Sequence, residues 1–248
     1  MQPLHSINLL GVRVDDVTMD QTLAIIDGFI SAGGPHHVVT VNPEFVMAAQ
    51  RDAAFRTVLN EAQLAVPDGI GLNLAARWTG QQLGSRVPGV ELCERLALLS
   101  VQRGYRIYLL GAAPGVAEAT AAALERRFPG VVIAGCFAGS PRAEDEAAIR
   151  ERLRAARPDI LLVAYGAPQQ DLWIARQQPQ LNIPVALGVG GAFDYLSGRV
   201  VRAPRWMRQL GLEWLFRLIR QPWRWKRIWT AVVRFPLAVR RAQRRATR

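Results

Sequence analysis

Short, nearly continuous apolar runs alternate with longer amphipathic stretches along this chain, and that alternation leaves few folds open to it. INLLGVRV (7–14), HVVTVN (37–42), QLAV (63–66), YRIYLLG (105–111), VVIAG (131–135), DILLVAYG (159–166) and IPVALGVGG (183–191) read as strands. Between them lie helical patterns at 46–62, 115–128 and 143–158; in the last, Ala147, Ile149 and Leu153 are expected to face inward. Strands apolar on both faces, joined by helical crossovers, specify an α/β fold with a mainly parallel sheet covered by helices on both sides. Half of the 248 residues are apolar, enough for one good core with a small appendage. No internal repeat or low-complexity linker is evident.

The pattern changes near residue 196. The segment 199–248 holds fourteen Arg, one Lys and a single acid, Glu213, a net charge of about +14, whereas the other 198 residues carry sixteen Arg and nineteen acids. Five of the seven Trp also fall here: Trp206, Trp214, Trp223, Trp225 and Trp229. We therefore divide the chain into an α/β domain (1–198) and a basic amphipathic helical appendage (199–248). The appendage reads as two or three helices broken at Gly211, Pro222 and Pro236. Leu212, Leu215, Phe216 and Ile219 form an apolar stripe, and Arg217, Arg220, Arg224 and Arg227 recur at helical spacing. Such a segment suits a polyanion or an anionic membrane surface. No run of eighteen apolar residues exists, so no spanning helix is expected. The opening MQPLHSINLL lacks the charge and apolar length of a signal peptide. Cys93 and Cys136 have no motif spacing.

In a doubly wound sheet, ligands bind beyond the carboxyl ends of the strands. Several polar or glycine-rich residues fall there: Thr40 and Asn42 before Pro43; Asp68 before Gly69 and Gly71; Gly111, Pro114 and Gly115; Gly166, Pro168, Gln169, Gln170 and Asp171; and Gly190 and Gly191 before Asp194. Gly111 opens a plausible phosphate cradle of free N–H groups at a helix start. Each has a plainer reading. An Asp or Asn after a strand commonly caps a helix, Asp194 among them, and Arg86 could be a solvated loop charge. GAAPG is not G-x-G-x-x-G and lacks the P-loop lysine. His5, His36 and His37 lack metal-ligand spacing, no Asp-x-Asp pair occurs, and there is no G-x-S-x-G elbow.

Taken in order, VVTVNPEF, VPDGIGL, SRVPGVEL, YLLGAAPG, GAPQQDLW, GVGGAFDYLSG and RAPRW…GLEWLFRL…QPWR resemble the WecG/TagA/CpsF family of bacterial glycosyltransferases across most of the chain. The resemblance implies a Rossmann-like α/β domain and a C-terminal helical appendage that docks on the membrane and helps close the active site. It implies inverting transfer of a sugar from a UDP-sugar to a polyprenyl-diphosphate-linked sugar, at the cytoplasmic face of the membrane. The products are cell-surface polysaccharides: exopolysaccharide, teichoic acid or enterobacterial common antigen. No cofactor, metal or nucleic acid is implied; a homo-oligomer is. Asp68 matches the family's proposed general base, with Thr40 and Asn42 near the reacting centre. Arg86 and Gln170 match polar pocket positions, and Gly111 and Gly191 lie on glycine loops counted as substrate-binding. The family's Pro-Lys-Gln-Glu is here Pro168-Gln169-Gln170-Asp171, which puts the roles of Gln169 and Asp171 in doubt. Arg217, Arg224 and Arg227 match the family's appendage arginines, which would hold the leaving UDP or the lipid diphosphate. Arg240, Arg241, Arg244 and Arg245 are expected to serve lipid attraction only.

A nucleic-acid-binding body with an Arg/Trp arm is the alternative function. It explains the charge but not the amphipathic arm or the polar strand ends. A nicotinamide-dependent dehydrogenase fails for want of the glycine fingerprint after the first strand. A solvated subunit interface is the third reading of the tail.

Overall fold

The computed structural model describes residues 4–246. The first three residues of the opening segment and the last two of the basic tail lie outside them. The chain begins with an antiparallel hairpin, β1 (Ser6–Leu9) and β2 (Val12–Asp15). INLLGVRV is therefore not one strand. Leu10 (φ 55°) and Gly11 (φ 83°) reverse the chain in two residues. The turn has a packing reason: an unbroken strand would put Ile7 and Leu9 on one face and Val12 and Val14 on the other. In the hairpin register, Ile7 pairs Val14 and Leu9 pairs Val12, and all four are buried. The hairpin also shields a sheet edge, since Ala65 N–H donates to the buried Asp15 carboxylate (2.7 Å).

The six remaining expected strands all form, as β3 (His36–Val41), β4 (Leu64–Pro67), β5 (Arg106–Gly111), β6 (Val132–Phe137), β7 (Ile160–Ala164) and β8 (Val185–Gly188). They make one parallel sheet in the order β4-β3-β8-β7-β5-β6. Successive side chains face opposite sides. Leu109, Leu162 and Leu187 pack under α1 (Met19–Ala32), α5 (Gly89–Arg103) and α6 (Val116–Arg127). Leu110, Val163 and Ala186 pack under α7 (Ala143–Ala156) and α8 (Gln169–Leu181). On α7 Ile149 and Leu153 are buried as expected, but Ala147 is exposed, because it lies off the narrow stripe those two define. The 46–62 pattern splits into α2 (Pro43–Ala49) and α3 (Ala53–Glu61), as Asp52 caps the second by accepting from Phe55 N–H (2.9 Å). α4 (Ile70–Trp78) follows β4, and α9 (Ala192–Leu196) follows β8.

The appendage comprises α10 (Arg205–Gln209), α11 (Glu213–Arg220), a 3-10 turn at Pro222–Arg224, α12 (Trp225–Trp229) and α13 (Phe235–Ala246). Gly211 is needed where α10 turns into α11: its φ is 72°, and a Cβ there would lie 2.8 Å from Ile70 Cδ1. Pro222 breaks the helix as expected, but Pro236 does not. A π-helical turn at Thr230–Arg234 joins α12 to α13, so a proline with no N–H is accommodated within a continuous helical path. Phe235 and Val239 are buried with Phe45, Val46 and Leu72 of the α/β body. Arg240 Cζ sits 4.7 Å from the Trp78 ring centroid, so Arg240 also holds the appendage to α4 and is not left to lipid attraction alone. Trp206, Trp223, Trp225 and Trp229 are each more than half exposed. Among the described residues no helix is long and apolar enough to cross a membrane.

Phe235→Ala is expected to weaken docking of the appendage by about 3–5 kcal/mol, the usual cost of emptying a fully buried aromatic site. Hydrogen exchange checks this: amides of 205–246 should lose protection while those of β5 and β7 keep it.

Candidate active site

The carboxyl ends of β4, β3 and β8 bring the chemistry together. Asp68 follows β4, and its N–H donates to Val41 O of β3 (2.7 Å). Thr40 is buried one residue before the end of β3, its Oγ1 donating to Gly188 O of β8 (3.1 Å). Gly89, the first residue of α5, lies over both: a Cβ there would stand 3.9 Å from Asp68 Oδ2 and from Thr40 Cγ2. Asp68 accepts a backbone hydrogen bond from Gly89, so the positive end of α5 points at its carboxylate.

Protein encloses Asp68 largely but not wholly. Burial is the largest effect on it and pushes its pKa up to about 6; Glu213 adds to the rise, while Arg217, Gly89 N–H and Arg86 oppose it. A carboxyl with that value is ionised at neutral pH yet basic enough to take a proton from a hydroxyl. Glu213 and Arg217 both belong to α11, so the appendage supplies the strongest of the charges that tune Asp68.

The three expected arginines lie within electrostatic reach of one another, and Arg217 of them also acts on Asp68. Arg217 Cζ lies 4.9 Å from the ring centroid of Tyr195 on α9, and its Nε is buried without a hydrogen-bond partner. Arg227 Nε pairs with Glu44 Oε2 (2.6 Å) in the first turn of α2. Burial, then the charges of Arg227 and Arg217, holds the pKa of the half-buried Arg224 below its ordinary value. Cations that raise each other's energy in a cleft, with an unused donor, form a site awaiting an anion.

The other expected residues sort by position. Asn42 caps α2, its Oδ1 accepting from Phe45 N–H (3.1 Å), which leaves the Nδ2 amide available for a ligand. Arg86 donates to Arg208 O (3.3 Å) and so bridges the body, the appendage and the Asp68 field. Gln170 is buried, and its Oε1 accepts from both Gly166 N–H (3.1 Å) and Gly190 N–H (3.0 Å). It thereby ties together the loops after β7 and β8. Asp171 lies under it, 3.7 Å from His37 Nε2 on β3. Gly191 caps α9, and Asp194 falls in the first turn of that helix. Gly111 ends β5, four strands from β4 and so roughly 19 Å from the Asp68 edge at ordinary strand spacing. It must be glycine, with φ 104° and Ala164 backbone 2.9 Å from any Cβ, but it stands apart from the Asp68 centre.

Four participants escaped the sequence reading: Gly89, Tyr195, Glu213 and Glu44. Glu213 had a signal, being the single acid in the tail. Gly89, Tyr195 and Glu44 had none, since their roles arise from contacts between distant segments. Among the described residues no group of three or more His, Cys, Asp or Glu is placed to hold a metal ion.

A carboxyl of raised pKa at the carboxyl edge of a parallel sheet, acted on by an arginine of a mutually interacting cluster, has the chemistry that group transfer uses. The chain belongs to the WecG/TagA/CpsF glycosyl transferase family, whose model matches residues 7–248. It is 37% identical over 191 residues, 77% of this chain and 74% of the relative, to a protein of Bacillus subtilis (strain 168) named N-acetylglucosaminyldiphosphoundecaprenol N-acetyl-beta-D-mannosaminyltransferase. A protein of the same name from Staphylococcus aureus (strain MW2) is 34% identical over 224 residues, 90% of this chain and 86% of the relative. The protein is a glycosyltransferase.

If Asp68 is the titrating base, kcat/KM falls on the acid side with a midpoint near pH 6. Glu213→Gln removes a like charge and should move that limb to lower pH; Arg217→Gln removes an opposite charge and should move it up. An acid limb that neither variant moves would show that another group titrates.

Proposed function

We propose that this enzyme transfers a sugar from a UDP-sugar to a polyprenyl-diphosphate-linked sugar, with inversion and without a metal, in the synthesis of a cell-surface polysaccharide. The observation that carries the reading is Asp68, its pKa raised to about 6, within the electrostatic reach of Arg217 and Glu213 of the appendage. The names of the relatives support it: they specify an N-acetylglucosaminyl-diphosphoundecaprenol acceptor and a transferred N-acetylmannosamine. We take the same acceptor class here, and UDP-N-acetylmannosamine as the first donor to try.

Asp68 acts as general base. It removes the proton of the acceptor hydroxyl as that oxygen attacks the anomeric carbon, and the bond from that carbon to the UDP oxygen breaks on the opposite face. Thr40 and Asn42 flank the reacting centre, Thr40 fixed by Gly188 O and Asn42 offering its amide. The departing diphosphate gains negative charge, which Arg217, Arg224 and Arg227 stabilise with fixed, forked donors. Losing one such contact removes about 2–4 kcal/mol of transition-state stabilisation, by the measure of other oxyanion donors. Gln170 keeps the β7 and β8 loops in place for this chemistry. Exposed Trp223, Trp225 and Trp229 with the surrounding arginines suit the headgroup region of an anionic bilayer, so we place the enzyme peripherally on the cytoplasmic membrane face.

A screen of UDP-sugars onto short-chain polyprenyl-diphosphate-sugar acceptors, read by mass spectrometry in the presence of a chelator, tests the reaction. Wild type should transfer, and Asp68→Ala should not, while binding the UDP-sugar nearly as well. Normal turnover by Asp68→Ala, or activity that returns only with added magnesium or manganese, would refute the base or the metal-free mechanism respectively.

The membrane assignment predicts co-sedimentation with anionic liposomes at physiological salt, each basic residue near the surface contributing about 1 kcal/mol. Tight binding to a random DNA duplex with no liposome pelleting would favour the nucleic-acid alternative.

A further inference from the structure

Next to the Asp68 centre lies a second basic hollow of about 450 Å³ that the mechanism above does not use. Arg127 of α6 and Arg202, Arg205 and Arg208 at and before α10 line it, together with Glu91 and Glu94 of α5 and the Tyr195 ring. Its charges do not cancel. A single oxygen, Glu91 Oε1, accepts from both Arg202 Nη2 (2.8 Å) and Arg208 Nη1 (3.1 Å). Glu94 pairs with Arg127, and Arg205 has no ion pair among the described residues. Four guanidiniums against the two lining carboxylates and Glu213, which pairs with Arg202 Nε at 4.0 Å, leave one positive charge in excess.

The donors are also incompletely used. Arg202 Nε and Arg208 Nε are both buried with no hydrogen-bond partner. Leaving a charged N–H buried without a hydrogen bond is costly, and an anion with several acceptor oxygens removes that cost. A diphosphate brings both negative charge and several acceptor oxygens to such a site.

The surroundings indicate what such a diphosphate is attached to. α10 carries Arg205 and Arg208 beside Trp206, 58% exposed, and Leu210, just past its end, is 65% exposed. A basic hollow served by a helix that also carries exposed apolar side chains fits a phosphate group joined to a hydrocarbon chain. A nucleotide has no use for those apolar side chains. Tyr195 links the two centres: its ring lines the hollow and also meets Arg217. An acceptor held in the hollow by its diphosphate would therefore have its sugar on the side of Asp68.

We propose that this hollow binds the diphosphate of the lipid-linked acceptor, with Arg127, Arg202, Arg205 and Arg208 holding its oxygens and Trp206 and Leu210 receiving the start of the hydrocarbon chain. The assignment rests on the transferase reading above and divides the labour among the arginines. The hollow takes the acceptor diphosphate, and Arg217, Arg224 and Arg227 take the leaving nucleotide diphosphate.

The test uses the full chain and the double variant Arg127→Gln/Arg205→Gln, both positions being exposed so that folding is preserved. Its KM for a short-chain polyprenyl-diphosphate-sugar should rise about tenfold or more, with the KM for the UDP-sugar within roughly twofold of wild type. A parallel rise in the UDP-sugar KM would assign the hollow to the nucleotide, and no change in either would remove it from the site; both overturn the proposal. Equilibrium binding of a short prenyl diphosphate, which needs no turnover, separates this from failure of the transferase reading. Wild type and Asp68→Ala should bind it alike, and the double variant about tenfold more weakly. That pattern in a protein that transfers no sugar would keep the site and discard the reaction. Equal binding by all three proteins would discard the site, whatever the reaction proves to be.

Discussion

The arrangement turns on one electrostatic influence between two parts of the chain, the field of the Arg217 guanidinium on the Asp68 carboxylate. Asp68 sits at the end of β4, largely walled off from water, where an unopposed carboxylate is expensive. The α/β body offers it Gly89 N–H and Arg86. The largest opposing charge comes from α11, which lies almost 150 residues further along the chain. The same helix brings Glu213, which acts in the other direction. These influences leave the group poised near 6, neither locked as a weak base nor held protonated at neutral pH. The proposed base is therefore a property of the docked assembly, not of the sheet alone. What fixes that assembly is apolar: Phe235 and Val239 buried against Phe45, Val46 and Leu72, with Gly211 allowing the turn to lie on Ile70.

Much of this was legible in the sequence where one local rule governed. The six parallel strands are short runs apolar on both faces, and all six lie within a residue or three of their expected ends. Asp68, Thr40 and Asn42 were visible because strand ends followed by a turn or Pro43 are where such folds place ligands. The misses came where two signals competed or where a contact was non-local. INLLGVRV carries no Asn-Gly, so its apolar content hid a turn that only the burial of both halves on one face explains. Pro236 looked like a break because a proline usually is one; the π-helical turn before it absorbs the lost hydrogen bond. Gln170 was legible as a polar residue at a strand end, but its bonds to Gly166 and Gly190 depend on how two loops meet. Tyr195 and Gly89 acquire their roles from α11 and β4 respectively, which no pattern within their own segments encodes.

The crowding of arginines has a physical cost that bears on how the enzyme works. Arg217, Arg224 and Arg227 repel one another, and only Arg227 has a carboxylate, Glu44, as a close partner. Mutual repulsion favours an appendage that is loose until an anion arrives, whereas burial of Phe235 and Val239 favours one that stays docked. Because an anion bound among these arginines relieves the repulsion, anion binding and appendage docking must strengthen each other to the same degree. Docking in turn brings Glu213 and Arg217 to Asp68 and sets its basicity. In the proposed reaction, donor occupancy and readiness of the base would thus be coupled through α11. On the proposed mechanism the charge that stabilises the leaving group and the charge that tunes the base sit on one appendage, so displacing α11 would disturb both together.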